Sequence, residues 1–358
     1  MIRLVPRSET SMGWQIATPV LAVLATMVMG GLLFAIMGYD PVAAIRTIFW
    51  DPLFGPAAGY SRPQLLVKAA PLILIASGLA IGFRAGIWNI GAEGQYIIGG
   101  ITGAAVALAA YPADGMWIFP AMVLAGALGG WAWGMIPALL RNWFGASEIL
   151  VSLMLVYVAE KIAAWMAFGP MRNPEGFGMP GSRNLTQYPP AANPELIAGT
   201  GAHWGVVAAA LAVLATWFLI SRHIRGFHIR TAGLAPRAAR FAGVKPETLV
   251  AFCLGLSGAL AGMAGLFEAS GPAGQITDSF GSGYGFTAII VAFLGRLHPL
   301  GILLAGLLLA LTYIGGELAQ LTLQLPAATV QVFQGMLLFF LLGFDLLTRF
   351  RVERTVTA

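Results

Sequence analysis

Apolar runs long enough, or nearly long enough, to cross a bilayer recur along the whole chain. They fall at about 16–37, 65–83, 96–110, 116–140, 148–168, 204–220, 249–267, 284–295, 300–318 and 330–347. A helix rises about 1.5 Å per residue, so roughly 20 apolar residues cover a hydrocarbon core of about 30 Å. The ten segments predict an all-α polytopic membrane protein of about ten transmembrane helices, one membrane domain over 1–358. The segments at 96–110 and 284–295 are short for that thickness and are expected to be extended by the polar residues before them. The run from Ile16 to Met37 exceeds the roughly 7–15 residues of a signal-peptide core, and no small-x-small site follows it, so it reads as a retained first helix.

One polar, glycine-rich island interrupts this pattern: Gly86-Ile87-Trp88-Asn89-Ile90-Gly91-Ala92-Glu93-Gly94-Gln95. A carboxylate at the centre of a membrane helix costs roughly 2.5–3.5 kcal/mol on insertion scales unless protein or water faces it. Irregular backbone at that depth survives only where it is buried in protein or lines a cavity. Asn89, Glu93 and Gln95 are therefore expected to line or brace a translocation path. Asn and Gln offer donors and acceptors to a neutral, hydroxyl-rich solute without a net charge that would trap it. Glu93 has a second reading, as a cap on the helix that begins near Gly94, worth about 0.3–1 kcal/mol.

Composition agrees with the pattern: 58% of residues are hydrophobic, 10% are charged, and the mean hydropathy is +0.80. The net charge of +5 does not point to nucleic acid, because the basic residues are sparse and lie between apolar runs. They follow the positive-inside rule. With both ends cytoplasmic, fourteen Lys and Arg fall inside and five outside (Arg46, Arg62, Lys68, Arg172, Arg183), leaving Lys161 within a helix. That topology makes 1–15 a cytoplasmic N-terminus, 38–63 and 169–203 external segments, 222–245 a cytoplasmic loop and 349–358 a cytoplasmic tail. The single cysteine, Cys253, excludes an intrachain disulfide, and the four histidines lack metal-ligand spacing and read as loop or helix-end residues. None of the three lysines follows a glycine, so there is no Gly-Lys-[Ser/Thr] phosphate loop. Gly281-Ser282-Gly283-Tyr284-Gly285 resembles half a dinucleotide fingerprint but follows no strand, and reads as a flexible entry to the eighth helix. No paired carboxylates, nucleophile–His arrangement or metal cluster supports catalysis, and no cofactor is expected.

An internal repeat runs at a constant offset of 180 residues, relating about 65–168 to about 249–348. Ser77, Gly78, Gly82, Gly91, Gly94 and Gln95 match Ser257, Gly258, Gly262, Gly271, Gly274 and Gln275 without a gap. Five spans separate the copies, an odd number, so the copies are expected to be inverted. Inverted repeats build transport pathways at their interface. The mate of the island, Glu268 to Gln275, is a second polar break, and Gln275 joins Asn89, Glu93 and Gln95 as a candidate path residue.

The basic stretch from Arg222 to Lys245 holds a short helix, Arg237 to Ala242, with Pro236 suited to its first turn and Gly243 placed to stop it. Ala238, Ala239 and Ala242 are expected to give it a low-profile surface beside Phe241. Two readings fit these residues: a helix that enters a groove on a cytoplasmic partner, or an ordinary basic loop drawn to anionic lipid.

Asn-Ile-Gly-Ala-Glu-Gly-Gln at 89–95, followed by a glycine-rich helix, resembles the membrane subunits of bacterial ABC importers for branched-chain amino acids, ribose and nucleosides. Ala-Gly-x-x-Pro-x-Ala-Ala-Arg-Phe-Ala-Gly at 232–243 is similar to that family's coupling loop, and the likeness covers about 65–348. Within the group, Gly-Ile-x-Asn-Ile-Gly-x-Glu-Gly-Gln looks most like the nucleoside-type (simple-sugar-type) permeases. The resemblance implies a non-catalytic permease in the bacterial inner membrane, with nucleoside uptake as the expected activity and simple sugars or branched-chain amino acids as alternative substrates. It implies as partners ATP-binding cassette subunits that hydrolyse ATP, a second permease in a heterodimer, and a periplasmic or lipoprotein solute-binding protein. It also implies that Gly233, Pro236, Arg237, Ala239, Arg240 and Gly243 form the ATPase coupling loop. The competing class is a secondary transporter or channel with Glu93 or Glu268 as its ion or proton site; such a carrier has no need of a docking helix at 222–245.

Overall fold

The computed structural model describes residues 2–6 and 12–354. Fourteen α-helices follow one another among the described residues: α1 (Met12–Ile36), α2 (Pro41–Phe49), α3 (Asp51–Phe54), α4 (Ala58–Arg84), α5 (Ala92–Ala110), α6 (Ile118–Phe144), α7 (Glu148–Phe168), α8 (Trp204–Arg222), α9 (Ile224–Leu234), α10 (Pro236–Phe241), α11 (Pro246–Ala269), α12 (Tyr284–Leu294), α13 (Pro299–Leu323) and α14 (Ala327–Arg349). The protein is a helical, polytopic membrane protein, and eight of these helices are long and apolar enough to span a bilayer. One small ribbon is the exception to an all-helical chain: β1 (Ile2–Pro6) pairs antiparallel with β2 (Phe350–Arg354), in the segments expected to be plain tails.

Helices stand at all ten expected apolar segments, with two adjustments. α5 starts at Ala92, so the polar residues Glu93 to Gln95 do extend it. α12 is not extended. It begins only at Tyr284 and covers eleven residues, about 16 Å at 1.5 Å per residue, half the hydrocarbon thickness. Pro272 and the positive φ of Gly274 (+69°) and Gly283 (+76°) keep the chain before it out of a helix. The 38–63 segment also proves largely helical. Asp40 caps α2 by accepting from the Val42 and Ala43 N–H groups at 2.8 and 3.3 Å, and Pro41 sits at N1.

The described chain forms two compact units. One comprises the described residues up to 62 and from 308 on, where α1 packs along α14 and Phe34, Ala44, Ile48, Ala319, Leu325 and Phe333 make a core. The other, residues 63–307, is built on α5, α6 and α11. These three helices meet through glycine faces. A Cβ on Gly262 would strike the Gly126 carbonyl and come within 2.9 Å of the Gly130 Cα, so only glycine admits this approach. Without a hydrophobic drive between helices in lipid, such close contacts are the main source of association.

Candidate functional site

The island lies between α4 and α5, where the chain leaves the helix through Gly86 at φ +72°. Asn89 is buried and saturated. Its Nδ2 donates to Gln95 Oε1 at 2.8 Å and to Ser257 Oγ on α11 at 2.9 Å. Its Oδ1 accepts from Gln95 Nε2 at 3.2 Å and from the Gly91 N–H at 3.1 Å. The Ile90 N–H finds Ser152 Oγ on α7 at 3.3 Å. Asn89 and Gln95 thus form one closed network that ties the non-helical turn to α5 and α11. Polar groups buried in protein without partners would cost several kcal/mol each, so the network is what lets the turn be buried.

Glu93 lies in the first turn of α5, but it caps a different helix. Its carboxylate accepts from the Gly283 N–H at 2.8 Å and the Gly285 N–H at 2.6 Å, the open N-terminus of α12. The cap expected on the helix that begins near Gly94 is not made, since Gly91 opens α5 without a side-chain cap; Glu93 serves α12 instead, 190 residues away in sequence. Gly283 takes the left-handed N-cap conformation, and a Cβ on Gly285 would run into the Glu93 backbone. The Gly281–Gly285 run bares backbone N–H groups to an anion, as glycine-rich loops do, and here that anion is the protein's own carboxylate.

Gln275 does not join this cluster. It lies against Gly181 of the 169–203 segment, which packs onto the second polar break. The Ser182 N–H donates to the Ile276 carbonyl at 2.9 Å, the Leu185 N–H to Gly274 at 2.7 Å, and the Asn193 N–H to Ser270 at 2.8 Å. This segment thus satisfies the carbonyls of Ser270, Gly274 and Ile276, a role that sequence composition did not reveal. Beside it, His203 caps α8: its Nδ1 accepts from the Gly205 N–H at 3.0 Å, with Asn193 Nδ2 also at 3.0 Å. Burial pushes this histidine down to about 4, so it is neutral at pH 7. Glu268 is buried near it at the end of α11, and the two line one small cavity with Pro71 and Phe267.

The basic stretch forms two helices, α9 and α10, where one was expected. Pro236 opens α10 at N1, Ala242 ends it, and Gly243 leaves it at φ +83°. Arg237 and Arg240 are exposed and Phe241 is 95% exposed. Ala239, however, is only 2% exposed: it faces inward and is not part of the low-profile surface, which reduces to Ala238 and Ala242 beside Phe241. Gly233 on α9 is seated on the end of α4, where a Cβ would strike the Arg84 carbonyl. Arg84 Nε in turn donates to the Leu297 carbonyl at 2.9 Å, in the turn between α12 and α13. Arg141 and Glu148 form an ion pair across the turn from α6 to α7. Among the described residues no group of three His, Cys, Asp or Glu is placed to hold a metal.

The chain belongs to the family of branched-chain amino acid transport system permease components, whose profile matches residues 62–342. It is an ABC transporter permease of the simple-sugar/nucleoside type. It is 34% identical over 362 residues to a glucose ABC transporter permease of Haloferax volcanii, covering 98% of this chain and 93% of that protein. It is 27% identical over 334 residues to a guanosine ABC transporter permease of Bacillus subtilis, covering 90% and 91%. A nucleoside ABC transporter permease of Lactococcus lactis is 26% identical over 345 residues, covering 91% and 90%. No solved structure matches significantly.

Proposed function

We propose that this chain carries a neutral, hydroxyl-rich solute, a nucleoside in the first reading, across the bacterial inner membrane for an ATP-driven importer. ATP is hydrolysed by a separate cassette subunit docked on α10, and a solute-binding protein delivers the cargo. A second permease chain completes the pathway, and both termini face the cytoplasm. The observation that carries this reading is the mechanical line from the docking segment to the island. α10 follows directly on α9, Gly233 of α9 rests on the Arg84 carbonyl, and Arg84 ends the helix from which the island departs. A push on α10 is thereby delivered to residues 85–91 and, through Glu93, to α12.

Asn89, Glu93 and Gln95 act in this scheme as braces rather than as solute contacts, because their polar groups are already engaged by protein. An inverted repeat supplies the two halves. α6 and α13, and α7 and α14, begin and end within one residue of the 180-residue offset. A Cβ on Gly78 would come within 2.8 Å of the Ser257 Cα, a contact between near-equivalent positions of the two copies. Two-fold related helices are expected to cross in this way.

Glucose is the second reading for the cargo, favoured by the likeness to the Haloferax glucose permease over 98% of the chain. Uptake of labelled guanosine and labelled glucose by cells with and without this chain separates them. Guanosine uptake that disappears with the chain, and is not competed by excess glucose, supports the first reading; the reverse pattern overturns it.

A further inference from the structure

A cleft of about 480 Å³ opens between α6, α9 and the start of α11. We propose that it is a binding site for an anionic phospholipid. Its polar end is made by Arg225, His228 and Lys245, and no carboxylate is among the residues that line it. Among the described residues neither Arg225 nor Lys245 forms an ion pair. The Arg225 guanidinium stands 4.8 Å from the centre of the Phe252 ring, held over the cleft by a cation–π contact.

Polar and apolar linings are sorted by depth. Asn142 Nδ2 donates to the Glu247 carbonyl at 2.9 Å, which sets the end of α6 level with the start of α11. From that level, Phe252 lies about 8 Å along α11 and Trp131 about 16 Å along α6, at 1.5 Å per residue. Both helices are long and apolar enough to span a bilayer, so the Trp131 end of the cleft, farthest from the helix ends, is directed toward acyl chains. Lys245 precedes α11 at the mouth and the Arg225 guanidinium lies over the Phe252 ring, so a phosphodiester entering the mouth would meet both cations. Basic groups at the mouth and an apolar, aromatic far end match a headgroup joined to acyl chains, which selects a lipid over a soluble anion.

The full-length chain, purified in a neutral detergent, is titrated with dioleoyl-phosphatidylglycerol or dioleoyl-phosphatidylcholine, and bound lipid is counted by native mass spectrometry. Phosphatidylglycerol is expected to bind at least tenfold more tightly. Two basic side chains at about 1 kcal/mol each predict roughly thirtyfold weaker binding in Arg225→Gln/Lys245→Gln, with phosphatidylcholine unaffected. Arg237→Gln/Arg240→Gln removes two exposed charges outside the cleft and is expected to bind as the parent does. Ala251→Trp fills the apolar part of the cleft with the charges intact and is expected to weaken both lipids; it keeps the test decisive if the double variant does not fold. Equal binding of the two lipids by the parent chain overturns the proposal. So does an equal loss in the Arg237/Arg240 pair, which would mean a diffuse basic field. Displacement of the lipid by inorganic phosphate, or by the assembled ATPase subunit, would assign the cleft to a soluble anion or to a protein.

Discussion

Replacing Glu93 by Gln tests the brace at its sharpest point. Glu93 gives one carboxylate oxygen to the Gly283 N–H at 2.8 Å and the other to the Gly285 N–H at 2.6 Å. An amide keeps one acceptor and turns an NH₂ donor against the other backbone donor. One hydrogen bond to a charged group, worth about 1.5–3 kcal/mol, is lost and its N–H is left unpaired. The negative charge at the N-terminus of α12 goes as well, about 0.3–1 kcal/mol. The loss is therefore roughly 2–4 kcal/mol, and more for Glu93→Ala, which removes both acceptors. α12 is only eleven residues long and has no long helical body to spread this loss, so destabilisation is expected to begin there. Thermal unfolding of the purified chain, followed by size-exclusion fluorescence, is expected to rank the parent above Glu93→Gln and Glu93→Ala lowest. Hydrogen exchange at Gly283–Thr287 is expected to rise in the same order. Wild-type stability in both variants, or altered solute preference at unchanged stability, would refute the brace and put Glu93 in contact with the cargo.

Asn89→Ala removes the hub of the buried network and leaves Gln95 and Ser257 without that partner, so a loss of about 2–4 kcal/mol in unfolding free energy is expected, with Asn89→Asp intermediate. Ala239→Glu places a charge at a buried position and is expected to lower the amount of folded chain, whereas exposed Ala238→Glu is expected to leave folding intact and abolish uptake; immunoblots beside transport assays distinguish them. His203, held near 4 against an ordinary 6.5, binds its proton more readily in the unfolded chain. Stability is therefore expected to fall as pH drops from about 6.5 to 4, by up to about 3 kcal/mol, and His203→Gln, which cannot be protonated, is expected to flatten that part of the profile.

Helix positions were legible because hydropathy along the chain reports the bilayer directly, and all ten apolar segments hold a helix. The length of α12 was not. It is limited by a break whose backbone is satisfied by the 169–203 segment and by Glu93, partners that no local window contains. The polar island announced itself by placing Asn, Glu and Gln among apolar runs, but its pairings reach Ser257 and Gly285, so their assignment depended on packing. The 180-residue register grouped Gln275 with Gln95, yet Gln275 lies at Gly181, because equivalence within a repeat does not bring two residues together. In α10 the punctuation by Pro236 and Gly243 was readable. The inward turn of Ala239 was not, since alanine suits a buried face and an exposed one equally.

A cross-link from α10 shows whether this helix couples the chain to an ATPase. Cys253 is the chain's only cysteine and is fully buried, so Ala238→Cys offers a single accessible thiol on the exposed face of α10. A short thiol–amine cross-linker applied to native membranes is expected to join this thiol to an ATP-binding cassette subunit, with a yield that changes when ATP is bound. An Ala238→Cys chain that meets no such subunit while the chain alone, in proteoliposomes without ATP, concentrates solute on an ion gradient would contradict the account and make this protein a secondary carrier.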